Sequence, residues 1–108
     1  MDSFWGDLTV VGDGRSCGAV TFENLSGAPG AGGTAHGGRK GAPWRRIEPN
    51  ERVVLADLEG PGTLNHWWMT FPLGPPERMR SLYVEVFYDG SDEPSVSVPC
   101  LDLFGLPL

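Results

Sequence analysis

A chain of 108 residues is at most one domain, with a modest core. Its formal net charge of −6 excludes the basic face that nucleic-acid recognition needs. No apolar run approaches the roughly 20 residues of a membrane-spanning helix. The sixteen glycines and ten prolines punctuate apolar runs, which reads as short strands joined by tight turns.

Residues 1–15 read as an N-terminal arm carrying Phe4, Trp5 and Leu8, with a short strand at Leu8–Val11. The start lacks the basic n-region and apolar h-region of a signal peptide, so a cytoplasmic location is expected. Cys17–Phe22 is a short strand candidate. Residues 25–42 are glycine-rich and hold no apolar side chain larger than Leu25, which makes them a long loop. Loops beyond about 12–15 residues in a compact domain are usually functional or disordered.

From Trp44 onward the pattern is β. Trp44–Ile47 is a short run, and Arg52–Glu59 is rich in Val and Leu. After a Gly60-Pro61-Gly62 turn, Thr63–Phe71 places Trp67, Met69 and Phe71 on one face. Leu64, His66, Trp68 and Thr70 take the other. Ser81–Tyr88 and Ser95–Cys100 alternate in the same way around a turn that begins at Asp89-Gly90. No window supports a helix of more than a turn. Short strands at this spacing predict an all-β sandwich or jelly roll.

The chemistry-bearing residues each have a plain structural reading beside the functional one. Cys17 and Cys100 show no CxxC or Cys/His spacing, so no metal site is expected, and two reduced, buried thiols are. Gly33–Lys40 superficially matches a phosphate loop, but Arg39 stands where the lysine belongs, and Gly41 and Pro43 forbid the following helix. Asp89–Glu93 has carboxylates at calcium-loop spacing but lacks the remaining ligands, so it reads as a hairpin turn. Arg39, Lys40, Arg45 and Arg46 cluster, whereas no basic residue follows Arg80; a solvated surface of mixed charge accounts for both.

Trp68 can stack on the C–H face of a sugar and donate its indole N–H, with His66 on the same strand face. Core packing is the structural alternative for Trp67 and Trp68, and lone strand histidines are usually structural. Glu23-Asn24 sits where a strand enters the glycine loop, a place that suits functional groups. Alternatively, Asn24 caps the turn and Glu23 is an exposed strand residue. A glycosidase needs two carboxyl groups facing one bond, a separation that sequence does not measure.

Three blocks carry a family resemblance: Phe22-Glu23-Asn24-Leu25-Ser26-Gly27 with Gly30-Ala31-Gly32-Gly33; Leu55–Gly62 through His66-Trp67-Trp68-Met69-Thr70; and Tyr88-Asp89-Gly90 with Pro94-Ser95-Val96, Val98-Pro99 and Asp102-Leu103-Phe104-Gly105. In this order they closely resemble the N-terminal part of the domain of unknown function 2961 family, glycoside hydrolase family 172. Leu101 and Trp67 depart from the family pattern, which usually has Gly and an aliphatic residue there.

The resemblance implies a jelly-roll β-sandwich, trimer-based homo-oligomers, and retaining chemistry on α-D-fructofuranosides, difructose dianhydride or α-D-arabinofuranosides without a cofactor. It also implies a catalytic glutamate pair beyond the region this chain covers. Glu23, Asn24, His66, Trp68 and Asp102 are the candidates for lining or supporting a sugar site. The expectation is thus one partial jelly-roll domain over residues 1–108, an N-terminal fragment of a furanoside-acting glycoside hydrolase. A non-catalytic carbohydrate-binding or assembly module is the alternative, and a truncated product without activity of its own is another.

Overall fold

Residues 81–100 form the one sheet among the described residues, which in this computed structural model are Gly14 and 16–106. The N-terminal arm and its strand at Leu8–Val11 lie outside them, Gly14 apart. The chain falls into two compact units, Met1–Trp67 and Trp68–Leu108.

In the second unit, β1 (Tyr83–Val86) pairs antiparallel with β2 (Val96–Pro99). Val84 faces Val98 and Val86 faces Val96, so β-branched side chains meet across the ladder. Bonds from Ser95 N–H to the Val86 carbonyl (2.8 Å) and from Cys100 N–H to the Leu82 carbonyl (2.7 Å) extend it at both ends. Asp89 and Gly90 both have positive φ, 52° and 71°, as the two central residues of a type I′ turn require. Ser91 N–H closes that turn on the Tyr88 carbonyl at 3.0 Å. The hairpin expected from the alternation is present, trimmed by two residues at each end of its first strand.

Three short helices accompany it. In the first unit, α1 (Ala35–Gly38) is a single turn with His36 and Gly37 in the left-handed region. In the second, α2 (Pro76–Arg80) begins on a proline, whose missing N–H costs nothing there. Its Glu77 lies in the first turn and Arg78 and Arg80 in the last, in line with the helix dipole. α3 (Cys100–Leu103) ends in a Schellman motif: Leu106 N–H reaches the Leu101 carbonyl and Gly105 N–H the Asp102 carbonyl, both at 3.0 Å. Gly105 supplies the φ of 70° that this motif needs.

The core of the second unit is small, with Val84, Cys100 and Leu101 buried and Leu82, Val86, Val96 and Val98 half-buried around them. The expected alternation of faces is therefore realised in the hairpin.

Four expected strands are not paired strands. Cys17–Phe22 contributes only an isolated bridge, Thr21 to Asn24. Residues 44–47, 52–59 and 63–71 belong to no helix, strand or ladder. An apolar alternation fixes which side chains turn inward, but a ladder also needs a neighbouring backbone edge in register, and here the bond from Asp57 N–H to the Leu25 carbonyl (2.8 Å) does not grow into one. The alternation itself survives: Val53 and Leu55 are half-buried between exposed Arg52, Val54 and Ala56. Trp67, Met69 and Phe71 are likewise half-buried, whereas Leu64, His66, Trp68 and Thr70 are exposed.

Candidate functional site

The most organised polar structure in the first unit is built by two adjacent residues. Thr21 and Asn24 exchange backbone hydrogen bonds of 3.2 and 3.0 Å, which leaves Phe22 and Glu23 at the tip of a two-residue turn. Asn24 is 7% exposed, and its side chain is fully engaged. Its amide donates to the carbonyls of Ala28 (3.0 Å) and Ala19 (3.4 Å), and its oxygen accepts from Ala28 N–H (3.0 Å). A buried amide with all of these partners is a turn-building residue.

Glu23 turns to the other half of the glycine loop. Its carboxylate accepts from the backbone N–H groups of Gly33 and Ala35, the latter at 2.7 Å. The Ala35 amide is the strongest influence holding this carboxyl below the ordinary glutamate value. Partial burial opposes it, and the amides of Gly33, Thr34 and Ala42 add to the lowering. Gly41 is buried against the same group, with φ of 59°. A Cβ there would overlap the carboxylate and stand 3.0 Å from the Gly33 Cα.

A cavity of about 470 Å³ lies on the Asn24 side, lined by Cys17, Gly18, Thr21, Asn24, Pro29 and Gly33 among others. No carboxylate lines it, so it has no acid–base pair for glycoside cleavage. Its walls need small residues: a Cβ on Gly18 would come within 2.9 Å of the Gly27 carbonyl oxygen.

The other sequence candidates are on the surface. His66 is exposed, and Trp68 is 74% exposed. Asp102 accepts from the Arg80 guanidinium at 2.9 Å, which ties the first turn of α3 to the end of α2. Both partners are substantially solvated, so the pair contributes little stability. Glu23 and Asn24 are thus brought together, and Arg80 and Asp102 form a second, separate pairing.

Two of the four basic residues of the cluster pair with local acids. Arg45 pairs with Glu51, and Arg46 pairs with Glu48 at 2.7 Å. Glu51 also accepts from Glu48 N–H (2.8 Å), and that bond, followed by the Arg45 charge, lowers its pKa. This is the mixed-charge surface that the sequence predicts. No group of three or more His, Cys, Asp or Glu side chains able to hold a metal ion occurs among the described residues. Nor is any helix among them long and apolar enough to cross a membrane.

Both cysteines are free, but only Cys100 is buried; Cys17 is exposed, which corrects the expectation of two buried thiols. Cys17 lies among the small residues Ser16, Gly18 and Ala19, which are exposed with it. Sequence reasoning missed two details: the fit of Gly41 against Glu23, and the contact of Cys100 Sγ with Met69 Sδ at 3.5 Å.

Comparison with known proteins adds a family. Residues 32–107 match the GH172 first beta-sandwich domain. No curated protein and no solved structure matches the chain. His66, Trp68 and Asp102 lie inside the matched range, and Glu23 and Asn24 lie before it. The match spans well over half of the chain, and the hairpin, its type I′ turn and the segments of alternating burial all fall within it; the chain belongs to glycoside hydrolase family 172, with residues 32–107 corresponding to that family's first β-sandwich domain.

Proposed function

We propose that this domain serves a retaining glycoside hydrolase acting on furanosides, of the α-D-fructofuranoside, α-D-arabinofuranoside or difructose dianhydride type. In this reading the sandwich is a jelly roll, the assembly is a trimer-based homo-oligomer, and no cofactor is used. The family membership supports the glycoside hydrolase class. The single observation that carries a sugar-contacting role is Trp68, 74% exposed between the half-buried Trp67 and Met69. Exposing an indole to this extent is costly unless something covers it, and a sugar ring has the apolar face and hydroxyls that suit it.

His66 and Asp102 are separate candidates for sugar contact in this reading, and Glu23 and Asn24 support the glycine loop of the first unit. Retaining cleavage needs one carboxylate as nucleophile and one carboxylic acid about 5–5.5 Å away. Glu23 is committed to backbone N–H groups and is held ionised, which suits neither the acid role nor free attack. In this reading Glu23 is therefore neither member of the pair.

The experiment is a titration of the Trp indole N–H resonances with methyl α-D-arabinofuranoside and, separately, methyl α-D-glucopyranoside. Saturable movement of the Trp68 signal with the furanoside and not the pyranoside is expected. Equal response to both sugars, or none at Trp68, removes the furanoside reading. An alternative as a purely assembling module is favoured if Trp68 instead shifts with protein concentration alone.

A further inference from the structure

The glycine loop carries an internal contradiction. His36 and Lys40 occupy the left-handed region, with φ of 54° and 58°, where a side chain is disfavoured. Neither residue is buried, so packing does not hold them there. Such conformations persist only where the surroundings over-determine them. The short turn Ala35–Gly38 has only weak closing bonds of its own, Gly38 N–H to Thr34 and Arg39 N–H to His36 at 3.3 and 3.4 Å.

One group spans the strained stretch. The Glu23 carboxylate takes the Gly33 and Ala35 amides on its two oxygens, just before His36. Gly41, just after Lys40, packs against the same carboxylate so closely that only glycine fits. Both ends of the strained segment therefore close on one side chain, ten and more residues away in sequence. The side-chain hydrogen bonds of Asn24 fall instead on Ala19 and Ala28.

We infer that Glu23 is a latch: its ionised carboxylate holds residues 33–41 as a closed loop, independently of Asn24, and releases them when it is protonated. The inference does not depend on what the protein binds. The groups facing the carboxylate are the backbone amides of Gly33, Thr34, Ala35 and Ala42. His36, Arg39 and Lys40 are the titratable or charged side chains of the segment it holds, and all three are exposed. Protonation removes the negative charge and turns one oxygen from acceptor to donor, facing a donor N–H.

Amide hydrogen exchange on the full chain, corrected for intrinsic rates, reads the latch directly. Glu23→Gln is expected to lower the protection of Gly33 and Ala35 by about tenfold or more, leaving Ala28 unchanged. Asn24→Ala should do the reverse, loosening Ala28 and sparing Gly33 and Ala35. In the native chain the Gly33 and Ala35 protection should fall as pH drops below the ordinary glutamate range, and this pH dependence should be absent in Glu23→Gln. Gly41→Ala, which keeps the carboxylate but unseats it, should reproduce the Glu23→Gln pattern. Unchanged protection at Gly33 and Ala35 in both variants overturns the latch. So does a uniform loss of protection in both, because it would make Glu23 a global rather than a local support.

Discussion

Met69 and Cys100 meet sulfur to sulfur at 3.5 Å, on opposite sides of the hairpin in sequence, and Cys100 has no exposed surface. Burial raises the Cys100 thiol above the ordinary cysteine value. Cys17, in contrast, is open to solvent. Alkylation of the native chain at neutral pH should therefore label Cys17 and spare Cys100, as read by peptide mass mapping. Equal labelling of both would show that the second unit's core opens readily.

Truncating Asn24 should be the most damaging change in the first unit. Asn24→Ala removes one acceptor and two donated bonds and leaves the Ala28 amide and carbonyl without those partners. A loss of about 1–3 kcal/mol is expected from urea unfolding. Asn24→Asp should fall between, since it keeps the acceptor for Ala28 N–H but places an oxygen against two carbonyls.

Acid should weaken the first unit through two carboxylates. Glu23 and Glu51 both have folded pKa values below the ordinary one. For groups depressed on folding, the added stability is fully present above the unfolded pKa, about 4.3 for Glu, and is lost as pH falls through the folded value. Both side chains are solvated enough that the effect is modest. Unfolding midpoints measured from neutral pH downward should stay level and then fall below the ordinary glutamate range. A Glu23→Gln, Glu51→Gln double variant should flatten that fall.

Gly105 terminates α3 in the left-handed region, where the Schellman bonds of Leu106 and Gly105 require it. Gly105→Ala should cost about 1 kcal/mol, and Gly105→Asn less, by the urea midpoint. An Ala variant as stable as the native chain would show that this cap contributes nothing.

The hairpin was legible in the sequence because both of its determinants are local. The alternation of Val84 and Val86 with Val96 and Val98 sets the faces, and Asp89-Gly90 sets the turn. Residues 52–59 and 63–71 were legible only by half. Their inward and outward faces follow the alternation, but pairing depends on partner edges that alternation does not name. Asn24 as a turn-building residue follows from its short reach to residues four and five away. The Glu23 connection to Gly33 and Ala35 does not, because it rests on a loop path set by a run of positive φ values.

Glu23, whose carboxylate is taken up by the Gly33 and Ala35 amides, is not a reacting carboxylate of the proposed glycoside hydrolysis. Release of p-nitrophenol from its α-D-arabinofuranoside by the purified chain tests that claim most directly, with Glu23→Gln assayed beside it. The account predicts the same background rate for both proteins. Turnover above background that disappears in Glu23→Gln would contradict it, and would make Glu23 a catalytic residue instead of a latch.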